Sequence, residues 1–173
     1  MSTYRFVVVA TVSVWFAAVA PNHARRDLLS FARADADPDA CALLTETDVS
    51  TALEVKSLPG THFVQSSTKI CSWSDVAGND INHRRVVVSV TSAATFNSLK
   101  SQAGIMTMEP VSGIGDDGFY EIPKSSESPF LYVRKGNAAF SVRILNGLKL
   151  KAFTRDEEKT KEAALAKAAA GRL

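Results

Sequence analysis

Apolar residues along this chain fall into three patterns, and each predicts a different element. The first is a fifteen-residue apolar run, Phe6 to Ala20, interrupted only by Thr11 and Ser13, that follows Arg5 and gives way to a polar, alanine-rich stretch. A charged start, an apolar core and small residues at the exit are the parts of a secretory signal peptide, and the run is shorter than the roughly 20 residues that span a bilayer. Residues 1–20 therefore read as the signal peptide, with an uncleaved anchor as the alternative. Ala18-Val19-Ala20, Ala32-Arg33-Ala34 and Ala34-Asp35-Ala36 all offer small-x-small cleavage sites, so cleavage is expected between 20 and 36. Residues 21–40 have few large apolar side chains and read as leader remnant and flexible linker.

The second pattern has helical spacing. Val49, Ala52 and Leu53 follow Thr45, with Asp48 three residues after it as a carboxylate variant of the capping box, which predicts a helix over 46–54. Ala93, Phe96, Leu99 and Ala103 mark one side of a second helix that stops at Gly104. A third starts at Thr154, with Glu157 completing the box, and runs through an alanine-rich stretch to Gly171.

The third pattern is short, β-branched or alternating. It predicts strands over 62–65, 70–76, 84–91, 130–134 and 138–145, the last two joined by the hairpin signal Gly136-Asn137. Pro59-Gly60 reads as a turn and Gly78-Asn79-Asp80 as a loop tip. Residues 61–103 and 117–170 each read strand, strand, strand, helix, which raises a possible βββα duplication. The expected fold is α+β: one domain over 41–173, a mostly antiparallel sheet of five to seven strands, and two or three helices packed on one face.

Charge changes the picture little. The chain has 20 Lys and Arg against 18 Asp and Glu, but four of the basic residues and only Asp27 lie before residue 35, so the remainder is close to neutral. Nucleic-acid binding would need excess positive charge on one face and is not expected. Contact with a membrane is expected only through the transient signal peptide. The two cysteines, Cys41 and Cys71, read as a disulfide, since an exported chain with an even count has one connectivity available; two buried free thiols are the alternative. Lipid attachment at Cys41 is disfavoured because Pro38-Asp39-Ala40 is no lipobox.

Cys41-Ala42-Leu43-Leu44 opening a short helix, Cys71-Ser72-Trp73 in a strand, Val111-Ser112-Gly113-Ile114-Gly115-Asp116-Asp117 before an aromatic strand, a late hairpin and a closing alanine-rich helix occur here in that order. In this the chain resembles a family of actinobacterial envelope lipoproteins and exported relatives whose domain has no assigned function. The resemblance implies a paired Cys41–Cys71 and an antiparallel sheet with helices against it; it carries no catalytic residues across, because the family has none assigned.

Catalytic motifs are weak. Gly113-Ile114-Gly115-Asp116-Asp117-Gly118 lacks the spacing of a phosphate loop and precedes a strand, so a tight turn is the expectation. Asp116 and Asp117, as neighbours in extended chain, face opposite ways and cannot share a proton. A metal site would draw on His62 and His83 with Asp75 or Asp80, too loosely spaced to expect one. No serine sits in G-x-S-x-G. Neither a cofactor nor a catalytic residue is expected. Trp73 shares a strand face with Cys71 and should pack over the disulfide. Trp73, Phe119, Tyr120, Phe130 and Tyr132 are the candidate binding surface if one sheet face is open. Three readings follow: a secreted or periplasmic non-catalytic domain that binds an envelope protein, peptide or small ligand; a structural or accessory subunit; and, last, a small hydrolase.

Overall fold

In the computed structural model a seven-stranded antiparallel sheet in the order β1-β2-β3-β7-β6-β5-β4 organises the chain. The structure describes residues 38–64, 67–77, 82–102, 106–122, 128–147 and 150–173, all within one unit, Asp35–Leu173. The leader, its candidate cleavage sites and the Gly78-Asn79-Asp80 loop lie outside the described residues. The elements are a 3₁₀ turn at Ala40–Ala42, then α1 (Glu46–Leu53), β1 (Thr61–Val64), β2 (Ser67–Ser74), β3 (Arg85–Ser92) and α2 (Ala93–Lys100). These are followed by β4 (Thr107–Val111), β5 (Asp117–Ile122), β6 (Phe130–Lys135), β7 (Ala138–Leu145) and α3 (Arg155–Ala170). The fold is α+β, as expected from the sequence.

Local signals act where the sequence places them. Both capping boxes form: Thr45 with Asp48 at α1, and Thr154 with Glu157 at α3. Ser92 caps α2 by accepting from the Thr95 N–H at 3.1 Å. Gly136 takes a left-handed φ of 59° in the β6–β7 hairpin. Strand β4 is an addition to the expected elements. It carries Glu109 and Pro110, which weaken a strand pattern but suit an edge, where a missing N–H costs no ladder bond.

The centre of the sheet is the β3–β7 pair, in register from Arg85↔Leu145 to Ser92↔Ala138. Alternation gives it two unlike faces. On one face Val86, Val88, Val90, Phe140, Val142 and Ile144 are buried beneath α1 and α3. Leu165, Ala166 and Ala169 of α3 are buried against them, and the small size of the two alanines lets the helix approach closely. The Cys41–Cys71 disulfide ties the 3₁₀ turn to β2 on this face. Trp73 packs beside it over Gly60, where an added Cβ would lie 2.5 Å from Trp73 Cε2 and 2.8 Å from Cys71 Sγ. Ala40 is fully buried and Asp39 caps the turn, so the fold takes up the chain just before Cys41.

Helix α2 takes the other face. Its Phe96 is buried against Phe119 and Ala139, whose strand neighbours Tyr120 and Phe140 belong to the α3 side. The sheet order is mirrored about β3–β7. A two-fold relating βββα halves across an antiparallel pair runs perpendicular to the sheet and would keep both helices on one face. Helices α2 and α3 lie on opposite faces, so that symmetry does not extend to the helices.

Candidate binding face

Helix α2 covers only one end of its face. Beyond it a row of side chains runs across β5, β6 and β7. Register puts Phe119 opposite Tyr132, and Glu121 opposite Phe130. Cross-strand neighbours on one face stand close enough for rings to stack. Phe119 and Tyr132 stack with centroids 5.2 Å apart, and Tyr132 and Phe130 at 6.4 Å. Phe96 closes the row at the α2 end, tilted on Phe119 at 5.1 Å. At the other end the Arg143 guanidinium lies 3.9 Å from the Phe130 centroid. Tyr132, Phe130 and Arg143 are half-buried, as are Ser72, Val87, Ser89 and Ser141 on the same face.

The electrostatics are those of a partly dry surface. Burial, helped by the Glu121 carboxylate, pushes the Tyr132 phenol up to about 12, so it is a neutral donor at any physiological pH. Glu121 itself is buried. Burial lowers the Arg143 guanidinium, with the carboxylates of Glu162 and Glu158 opposing. Its Nε is buried with no hydrogen-bond partner among the described residues. A half-buried Arg stacked on a ring can offer its outer N–H groups to a carboxylate or carbonyl oxygen.

Of the five aromatic residues singled out in the sequence, Phe119, Phe130 and Tyr132 come together here. Trp73 and Tyr120 do not. They face the helices, 1% and 6% exposed, and the Tyr120 hydroxyl donates to the Lys159 carbonyl at 2.6 Å. The reason is the two-residue strand period, which sends Phe119 and Tyr120 to opposite faces. Arg143 and Glu121 join the face beyond the residues expected from the sequence; the lone arginine within Phe140-Ser141-Val142-Arg143-Ile144-Leu145 is the local signal for the first.

The histidines lie elsewhere. His62 Nε2 is 2.8 Å from Asp39 Oδ1, and His83 Nδ1 is 3.3 Å from Asp75 Oδ1; Asp80 lies outside the described residues. Asp116 serves the turn: its N–H donates to the Arg134 carbonyl at 2.8 Å and its carboxylate accepts from the Gly136 N–H at 2.7 Å. Asp117 pairs with Lys100 at 2.7 Å. No helix among the described residues is long and apolar enough to cross a membrane. Comparison with known protein families, curated proteins and solved structures finds no match.

Proposed function

We propose that this chain is exported to the cell envelope or medium, and that its folded domain is a non-catalytic binding module working through the face of Phe130, Tyr132 and Arg143. The observation that carries this reading is the stacked aromatic row, half-buried at Tyr132 and Phe130, that ends in the half-buried guanidinium of Arg143. Such a surface suits a peptide, a protein segment or a small ligand with a flat or apolar part for the rings and an oxygen acceptor for Arg143. Export is supported by Arg5 and the apolar run after it, and by the Cys41–Cys71 bridge, which oxidising compartments favour. The resemblance to exported relatives of actinobacterial envelope lipoproteins, carried by Cys41-Ala42-Leu43-Leu44, Cys71-Ser72-Trp73 and the Val111 to Asp117 segment, is in keeping with this reading.

A photo-crosslinking amino acid at position 132, in protein exported by its host, tests the reading. Adducts are expected from position 132, and they should weaken when Arg143→Ala is added. They should not form from position 160, exposed on α3. Equal adducts from both positions would refute it.

A structural or accessory subunit is the second reading, favoured by the sheet edge. Edge strand β1 leaves Phe63 68% and Val64 48% exposed beside backbone groups without a strand partner among the described residues. That role predicts a stoichiometric partner lost on Phe63→Lys and retained on Arg143→Ala.

A further inference from the structure

Three donor side chains of different chemistry meet where the chain enters the fold. One donor atom each of Asp39, Cys41 and His62 lies within 4.8 Å of the others. The arrangement is fixed by the backbone. Asp39 caps the 3₁₀ turn, its Oδ1 accepting from the Cys41 N–H at 2.8 Å. His62 stands opposite Cys71 in the β1–β2 register, on the disulfide's side of the sheet, with Nε2 2.8 Å from that same oxygen. All three residues are half-buried, whereas Cys71 is completely buried.

While Cys41 is bonded to Cys71 its sulfur carries no charge and is a poor ligand. We propose that reduction of this disulfide converts Asp39, Cys41 and His62 into a binding site for a thiophilic divalent cation such as zinc. The reductant is a dithiol. One of its thiolates attacks the Sγ of Cys41, the less buried of the two cysteines, the Cys41–Cys71 bond breaks, and Cys71 leaves as a thiolate that takes up a proton. The second thiol of the reductant, as thiolate, then attacks the mixed disulfide, releasing Cys41 and leaving the reductant oxidised to its own disulfide. The cation displaces the remaining proton from Cys41.

The geometry is close to what zinc requires. Zinc–sulfur distances near 2.3 Å and zinc–nitrogen or –oxygen distances near 2.05 Å place tetrahedral ligand atoms roughly 3.3 to 3.6 Å apart. His62 Nε2 and Asp39 Oδ1, at 2.8 Å, would therefore open by about half an ångström, and the most separated donors, within 4.8 Å, would close by no more than about 1.2 Å. Sulfur, imidazole and carboxylate supply three ligands and leave the fourth position to water. In the oxidised protein only the histidine and the carboxylate remain, too few for tight binding.

Cys71→Ser frees Cys41 permanently and makes the test direct. Cobalt(II) is the probe, read by its thiolate-to-metal charge-transfer band, with circular dichroism reporting the fold. Folded C71S should show the band at one equivalent, and zinc should abolish it. Adding His62→Ala or Asp39→Ala should weaken binding at least about tenfold, the loss that even removing a partner supporting a ligand causes. The oxidised wild type should show no band. Wild type reduced with a phosphine, then freed of it anaerobically, repeats the measurement should C71S misfold. A folded reduced protein without the band, or with binding indifferent to His62, overturns the proposal. So does a reduced chain that cannot stay folded, since the site requires the folded domain.

Discussion

Glu162 makes the stability of this domain depend on pH in a direction opposite to that of most surface carboxylates. Its side chain is completely buried between α3 and β7. One oxygen accepts from the Ile144 N–H at 2.8 Å and the other has no partner among the described residues. Desolvation pushes its carboxyl from an ordinary 4.5 up to about 8; the Glu158 carboxylate, one helical turn away, adds to this, while the Ile144 bond and the Arg143 charge oppose. Burial likewise raises Glu158, whose carboxylate accepts a hydrogen bond from the Asn146 side-chain amide. Below about pH 4.5 folded and unfolded chains both hold the Glu162 proton, and the group adds no pH dependence. From there to about pH 8 the folded chain keeps a proton that the unfolded chain has lost, so stability falls as pH rises. At about 1.4 kcal/mol per unit the full loss approaches roughly 5 kcal/mol, a large share of a small domain's stability.

Urea denaturation of the oxidised protein, followed by circular dichroism from pH 5 to 8.5, reads this directly. The wild-type midpoint should fall steadily across that range. Glu162→Gln keeps a carbonyl acceptor for Ile144 and cannot ionise, so its midpoint should change much less and exceed the wild-type value at pH 8. A flat wild-type profile, or a Gln variant with the wild-type slope, would refute the reasoning.

Other consequences are simpler. Asp117 is held below the usual carboxylate range by its hydrogen bond to Lys100, and Asp39 by its bond to His62. Their contributions are present above the unfolded carboxylate pKa and are lost as pH falls through the folded values, so Asp117→Asn should flatten the acid limb of the same titration. Cys41→Ser opens a loop with a sequence separation of 30 and should cost about 3 to 4 kcal/mol in the chain-entropy model, read as a lower melting temperature; an unchanged value would mean the bridge does not staple the turn to β2. Phe96→Ala removes the fully buried anchor of α2 and should cost about 3 to 5 kcal/mol by urea titration. Gly115→Ala sets a Cβ 2.5 Å from the Arg134 carbonyl oxygen at a φ of 63°, and should destabilise by more than about 1 kcal/mol.

Much of this fold was legible in the chain because its signals are local. A capping box closes over four residues, a hairpin turn over two, and strand alternation over a handful, so Thr45, Thr154, Gly136-Asn137 and the valines of β3 announce their elements without reference to the rest. The disulfide needed only a count of two. By itself the sequence thus determined the element types, most boundaries, the α+β class and the packing of Trp73 beside Cys71. What it could not determine are facts about faces and distant partners. Helix α2 leaves β3 at Ser92, and nothing local says whether Phe96 will find Phe119 and Ala139 or the opposite face. The sheet order puts β7 beside β3, a pairing between strands far apart in sequence that is decided by the burial of both together. The same holds for the sites. Phe130, Tyr132 and Arg143 are ordinary residues until register stacks them, Asp39 and His62 until the 3₁₀ turn meets β1, and Glu162 until α3 lays it over β7. Each acquires its chemistry from desolvation and from neighbours that only the tertiary structure supplies.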